Sequence, residues 1–390
     1  MLSTTESEQR ISRMQSHLDE SGIPGSLLVF PVDIYYFTGT RQNAALWIPA
    51  EGRPMLLVRK SLARAREESP LDDIRPFPSG KDFAALFSEK ATSIGMTFDV
   101  LPVQQLNYYT RLLPGRDFVD ISSIIREIRS VKSAFELGEL RASARMLSSV
   151  FSEVPRFLKA GMRELDLAAE FEYRLRKAGH EGHVRMRAFN QELAGGLAVS
   201  RGGATHGHFD GAVTGKGLSA ASPQGASVEI IHENEPVLLD YAGLFNGYTT
   251  DMTRMFVIGS LDPRLQEAFD VAIAIQEAVR QAMTPGAVAE ELYLMAAEMA
   301  ENSGFGSGFM GMPGEQSKFV GHGVGLELDE FPVLAKGFRM PLQAGHVIAV
   351  EPKFIIPGKG AIGIENTFVV TEDGGEKLTC LGDEIVFLTS

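Results

Sequence analysis

The stretch EPVLLDYAGLFNGYTTDMTRMFVIG, Glu235 to Gly259, reads as a β-hairpin that carries two acids. Asn246-Gly247 between apolar runs signals a two-residue type I′ turn, because both central positions of that turn need positive φ. Counting outward pairs Phe245 with Tyr248, Ala242 with Asp251 and Asp240 with Thr253. Asp251 and Thr253 share a face, so Asp240 and Asp251 become diagonal neighbours on one face, roughly 7 to 8 Å apart at the backbone. Two carboxylates so placed either converge on one cation or stand as solvated acids at strand ends.

The company further along favours the cation. Glu351 follows the apolar run Val347 to Val350, and Glu365 sits inside AIGIENTFVV. Acids embedded in apolar strands are costly unless paired or bound to a metal. His322 lies in GHGVGLELDE, where Gly321, Gly323 and Gly325 let the backbone approach a neighbour closely. Four strand-borne acids and one imidazole suit a divalent ion such as Mn²⁺, Co²⁺, Fe²⁺ or Zn²⁺, and bridging carboxylates let five residues hold two ions. Two ions about 3.5 to 4 Å apart activate water and stabilise the oxyanion of an attacked carbonyl, which is hydrolase machinery.

Outward from this region, the chain divides. The first third mixes strand-like runs at Ser26 to Phe30, Ala44 to Ile48 and Met55 to Val58 with helical patterns at Ile11 to Leu18, Asp82 to Ser93 and Gln104 to Leu113, so it reads as α/β. A change of texture within VDISSIIREIRSVKS sets a boundary near Lys132, giving domains 1–131 and 132–390. The second part has a helical pair at Ala134 to Leu158 and Met162 to Ala178, and another at Pro263 to Met283 and Ala287 to Asn302. Each pair is followed by strand-like text, a faint internal duplication. The 390 residues carry a formal charge of -13 and a single cysteine, Cys380. That balance speaks against a general nucleic-acid or anionic-membrane binder, and the cysteine count excludes an internal disulfide framework. With a polar, acidic start and no long apolar run, the expected setting is cytoplasmic.

The order Asp240, Asp251, His322, Glu351, Glu365, set in DYAGLFNGYTTDMTR, GHGVGLELDEFP, VEPKF and GIENTFVVTEDG, resembles the pita-bread metallopeptidases of the aminopeptidase P and prolidase branch. YYFTG (Tyr35 to Gly39), REIRSVKSAFEL (Arg126 to Leu137) and GMRELDLAAEFE (Gly161 to Glu172) extend the likeness over the whole chain. The resemblance implies a creatinase-like α/β amino-terminal domain and an α+β pita-bread catalytic domain with pseudo-twofold duplication. It implies that Asp240 chelates one metal, that Asp251 and Glu365 bridge two, and that His322 and Glu351 complete the coordination of the second metal. It implies a homodimer acting on an Xaa-Pro bond, with a metal-bridged water as nucleophile and Glu351 handling the proton.

Some positions depart from the pattern. The second His of the glycine-loop motif, in a His-Glu-x-Pro run, is replaced by Asp329 in Asp329-Glu330-Phe331-Pro332. An ionised Asp accepts hydrogen bonds and cannot donate one to an oxyanion, which sets Asp329 up as a base instead. The EPG after the fourth ligand reads Glu351-Pro352-Lys353, and the acid after Glu365 is Asn366. The interval before Asp240 is stretched by a Gly- and Ser-rich loop, Ser200 to Ser227, holding His206 and His208. Loops of this length are functional or disordered, and either His is a candidate for the pocket, His208 for catalysis and His206 for substrate. Among His183, Arg185 and Arg187, the two arginines are candidates for an anionic substrate group. Beside the peptidase, two other readings stand: a metal enzyme acting on a non-peptidic amide, amidine or lyase substrate, and a non-catalytic binding module.

Overall fold

The structure is a computed structural model that describes residues 1–88, 91–189, 191, 193 and 195–389. The chain forms two compact units, Met1–Arg129 with Arg187–Asn190, and Ser130–Met186 with Gln191–Ser390. The return of the chain to the first unit at Arg187 has no counterpart in the sequence reading. Among the described residues, no helix is long and apolar enough to cross a membrane.

The first unit runs α1 (Thr4–Glu20), β1 (Gly25–Leu28), α2 (Pro31–Thr38), β2 (Ala44–Pro49), β3 (Met55–Val58), α3 (Leu62–Glu68), β4 (Ile74–Pro76), α4 (Gly80–Ala84), β5 (Ser93–Met96), α5 (Val103–Leu112), β6 (Asp117–Asp120) and α6 (Ser122–Ser130). Ser3 caps α1 by accepting from the Glu6 amide, and Ile11, Met14 and Leu18, spaced at three and four, form its buried stripe. The strands make one mixed sheet in the order β4-β3-β2-β1-β5-β6. The helix expected from Asp82 to Ser93 is cut short at Ala84, and Ser93 instead opens β5; residues 89 and 90 of that span lie outside the described residues. Tertiary pairing overrides the local pattern here, because β5 runs parallel to β6 and fully buries Ile94 and Met96.

The second unit runs α7 (Ala134–Phe151), α8 (Glu164–Lys177), β7 (Gly196–Val199), β8 (Pro236–Phe245), β9 (Tyr248–Ile258), α9 (Pro263–Ala282), α10 (Ala289–Asn302), β10 (Phe319–Gly323), β11 (Glu330–Ala335), β12 (Val347–Val350), β13 (Lys353–Ile356), β14 (Gly360–Gly363), β15 (Asn366–Thr371), β16 (Gly374–Lys377) and β17 (Val386–Leu388). A capping box between Ser133 and Glu136 starts α7. The helix stops at Phe151, short of the expected Leu158, and Pro155 sits in the 3₁₀ turn Val154–Arg156, since proline cannot continue an α-helix interior. The halves repeat. Helices α7 and α8 pack on a four-stranded sheet ordered β17-β9-β8-β7, while α9 and α10 cover strands of the other half, where a five-stranded sheet is ordered β11-β10-β12-β15-β16. Fully buried residues line each side, with Leu147, Phe171 and Leu239 in one core and Ala272, Ile275 and Ile348 in the other.

The β8/β9 hairpin has the register counted from Asn246-Gly247, with Asp240 opposite Thr253 and Ala242 opposite Asp251. The two halves meet where Thr253 of β9 bridges Glu365, the residue before β15. That seam brings the hairpin acids to the acids of the second half. The Ser200–Ser227 loop is fastened at both ends by one side chain. Buried Glu164, in the first turn of α8, accepts from the Ser200 amide and hydroxyl through Oε1 and from the Ser227 amide and hydroxyl through Oε2.

Candidate metal centre

Each acid reaches the seam for a local reason. Asp240 and Asp251 stand on paired strands, Glu351 follows the last residue of β12, and Glu365 is held by the Thr253 bridge and by Thr253 Oγ1 donating to Glu365 Oε2 at 2.8 Å. His322 is carried on β10, which pairs with β12, so its ring comes alongside Glu351. The Asp251 amide is fixed by Thr367 Oγ1 at 2.9 Å, and that hydroxyl donates back to the Asp251 carbonyl.

Two groups of ligand atoms converge, one from Asp251, His322 and Glu365, the other from Asp240, Glu351 and Glu365. In the first, His322 Nε2 faces Asp251 Oδ2 at 3.9 Å and Glu365 Oε1 at 3.9 Å, and it also stands 3.6 Å from Glu351 Oε1 of the second group. These separations are too long for hydrogen bonds. Donors bound at about 2.0 to 2.2 Å to a shared ion stand roughly 3 to 3.5 Å apart, so a small inward adjustment accommodates a cation. Glu365 Oε1 is buried with no hydrogen-bond partner among the described residues, an orphan acceptor facing the same gap. This half fits a divalent ion.

The other half is filled by the protein itself. Lys353 Nζ donates to Asp240 Oδ2 at 2.8 Å, to Glu351 Oε2 at 2.7 Å and to Glu365 Oε2 at 2.9 Å. The lysine is 1% exposed. Burial alone would lower its ammonium, but the carboxylates of Asp240, Glu351 and Glu365 hold it well above the ordinary lysine range. Burial pushes Asp240 up to about 6 against the pull of Lys353. Asp251, buried and next to Glu365 and Asp240, is raised well above the usual carboxylate range.

A second layer holds these groups. Arg254 is fully buried, donating through Nη1 to the Glu365 carbonyl at 2.9 Å and through Nη2 to Asn366 Oδ1 at 2.8 Å, with Asp383 at 3.1 Å. Asn366 still accepts from Arg254, and Asp383 supplies the negative charge an acid at 366 would have brought.

The other candidate residues lie in different surroundings. Asp329 is half-buried in the turn before β11, and neither converging group includes it. Its neighbour Glu330 is buried and pairs with Lys132 at 2.8 Å. His206 and His208 are exposed and line a cleft with Phe209, Met312, Glu315 and Ile355. Ile355 lies two residues beyond Lys353 on β13. Arg185 is half-buried, its carbonyl accepts from the Leu328 amide beside Asp329, and its guanidinium has no partner among the described residues. Arg187 is engaged elsewhere, within the first unit, binding Asp99 through Nε at 2.5 Å and Asp33 through Nη1 at 3.1 Å. Lys353, Thr253 and Arg254 were not singled out from the sequence as members of this centre.

Residues 138–372 match the model of metallopeptidase family M24, and residues 10–131 match the creatinase/prolidase N-terminal domain. This chain belongs to metallopeptidase family M24. Membership makes it a hydrolase of the metal-dependent peptidase class, and the family implies divalent metal ions. Similar relatives within that class include the Xaa-Pro dipeptidase of Pyrococcus furiosus, 26% identical over 95% of this chain and 98% of the relative. The Xaa-Pro dipeptidase of Lactobacillus delbrueckii is also 26% identical, over 97% and 98%. The solved Xaa-Pro dipeptidase of Bacillus anthracis superposes with a TM-score of 0.81 at 23% identity, covering 98% of this chain and all of that one. A solved dipeptidase of Mycobacterium ulcerans gives 0.81 at 24% identity with both chains fully covered, so the fold extends from end to end.

Proposed function

We propose that this chain hydrolyses Xaa-Pro dipeptides at the carboxylate and imidazole cluster. The observation that carries the reading is the gap bounded by His322 Nε2, Asp251 Oδ2, Glu351 Oε1 and the orphaned Glu365 Oε1. Full-length similarity to two Xaa-Pro dipeptidases supports the substrate class.

In this reading Asp251, His322 and Glu365 hold the divalent ion, with Glu351 beside them. When bound, such an ion supplies a Lewis acid and eases deprotonation of water near neutral pH. Glu351 takes the proton of the attacking water on Oε1 and returns it to the departing imino nitrogen, while its Oε2 stays held by Lys353. Lys353 keeps Asp240, Glu351 and Glu365 in register by three charge-assisted bonds. The guanidinium of Arg185, without a partner among the described residues, receives the substrate carboxylate, and His206 and His208 serve the substrate from their cleft. Arg187, committed to Asp33 and Asp99, takes no part.

Asp329 favours a second reading. An acceptor-only side chain in place of the family's imidazole suits a substrate that presents a donor, such as a small non-peptidic amide or amidine, with Asp329 as base. A screen of Xaa-Pro dipeptides against such amides with the ion-loaded protein separates the two. The Asp329→His variant adds to it, raising Xaa-Pro turnover under the first reading and abolishing turnover of the amide under the second.

A further inference from the structure

We propose that the Lys353 ammonium is a built-in replacement for one of two divalent cations, so that this chain takes up one ion fewer than its ligand set allows. The inference rests on reading the cluster as the cation centre.

The two converging groups share Glu365 and together describe two adjacent cation positions. One is open. In the other, a single nitrogen touches one oxygen from each of Asp240, Glu351 and Glu365 at 2.7 to 2.9 Å. An ammonium at hydrogen-bond distance from all three occupies the space a metal at about 2.0 to 2.2 Å from the same oxygens requires. The two occupants exclude each other.

The fold provides for the lysine. Lys353 pairs with Gly363 across β13 and β14, and a Cβ at Gly363 would stand 2.7 Å from Lys353 Cγ, so glycine there leaves room for the aliphatic stem. The Lys353 carbonyl also accepts from the Met310 amide at 2.9 Å, anchoring the backbone from the other side. Charge supports the same count. Four carboxylates against one ammonium leave three negative charges, and one divalent ion reduces these to one.

The test is metal stoichiometry of the full chain, stripped by chelation, reloaded with Mn²⁺ and measured by elemental analysis, for wild type, Lys353→Gly and Lys353→Ala. The proposal expects each variant to hold one ion more than wild type. Wild type with none and a variant with one upholds the replacement by Lys353 and sinks the assignment of the open half as a metal site. Two ions in wild type, or no gain in a folded variant, overturns it. Should neither variant fold, anomalous diffraction from Mn²⁺-soaked wild-type crystals decides. A peak among Asp240, Glu351 and Glu365 with Lys353 swung away overturns the proposal, and Lys353 Nζ retained among them without a peak supports it.

Discussion

Glu365 Oε1 and His322 Nε2 face each other at 3.9 Å, with the carboxylate oxygen buried and without a hydrogen-bond partner among the described residues. An ion placed between them satisfies both. Adding Mn²⁺ should therefore raise the melting temperature of the wild type, since a ligand at 100 times its Kd contributes about 2.7 kcal/mol. His322→Ala should lose most of that shift and at least about tenfold in ion affinity, the range seen when groups around a metal are removed. An unchanged shift in the variant would place the ion elsewhere.

Glu164 fastens both ends of the Ser200–Ser227 loop with four donors on one buried carboxylate. Bonds to a charged group contribute roughly 1.5 to 3 kcal/mol each, though they do not add independently. Glu164→Ala should cost about 3 kcal/mol or more in urea unfolding and open the loop to limited proteolysis. Cleavage as slow as in wild type would show that the loop is held by something else.

Arg185 and Arg187 stand close in sequence and differ in role. Arg187→Met leaves exposed Asp99 without its arginine and takes one of two arginines from buried Asp33, which keeps Arg129, and should destabilise the first unit by roughly 1.5 to 3 kcal/mol. Arg185→Met should leave stability nearly untouched and raise KM for an Xaa-Pro dipeptide by about tenfold or more, since it removes a charge-assisted contact. Equal KM values in Arg185→Met and wild type would remove Arg185 from the substrate site.

His346 is fully buried, accepts from the Gln343 amide on Nδ1 and lies 3.2 Å from Ser130 Oγ through Nε2. Burial, aided by Lys132, lowers it from 6.5 to about 4. Because the folded value is depressed, the unfolded chain binds a proton that the folded chain refuses between these values. The stability present above pH 6.5 is lost as pH falls toward about 4, a loss on the order of 3 kcal/mol. His346→Gln should flatten the dependence over that interval in denaturant titrations. Parallel curves for the two proteins would contradict the assignment.

The hairpin was legible because Asn246-Gly247 fixes a turn and a turn fixes register, which carried Asp240 and Asp251 to the correct pairings with no tertiary information. Glu351 and Glu365 were legible as acids out of place in apolar strands. The Lys353 ammonium was not, since a lysine opening a short apolar strand ordinarily reaches solvent, and its burial depends on three acids from separate elements. A signal was present: Lys353 stands two residues after Glu351, the spacing that puts two extended residues on one side. The commitment of Arg187 to Asp33 and Asp99 was equally hidden, because it joins residues far apart in the chain. The short α4 reflects the same limit, with β5 formed by pairing that the local helical pattern does not report.

The central claim is Xaa-Pro hydrolysis at this cluster, and proline release from an Xaa-Pro dipeptide tests it most directly. The Mn²⁺-loaded wild type should release proline, lose that activity on chelation and regain it on reloading. Glu351→Gln should be slower by at least about 100-fold, as removal of a proton-handling group predicts, while keeping its fold. No proline from an ion-loaded wild type, or an undiminished rate in Glu351→Gln, would contradict the account.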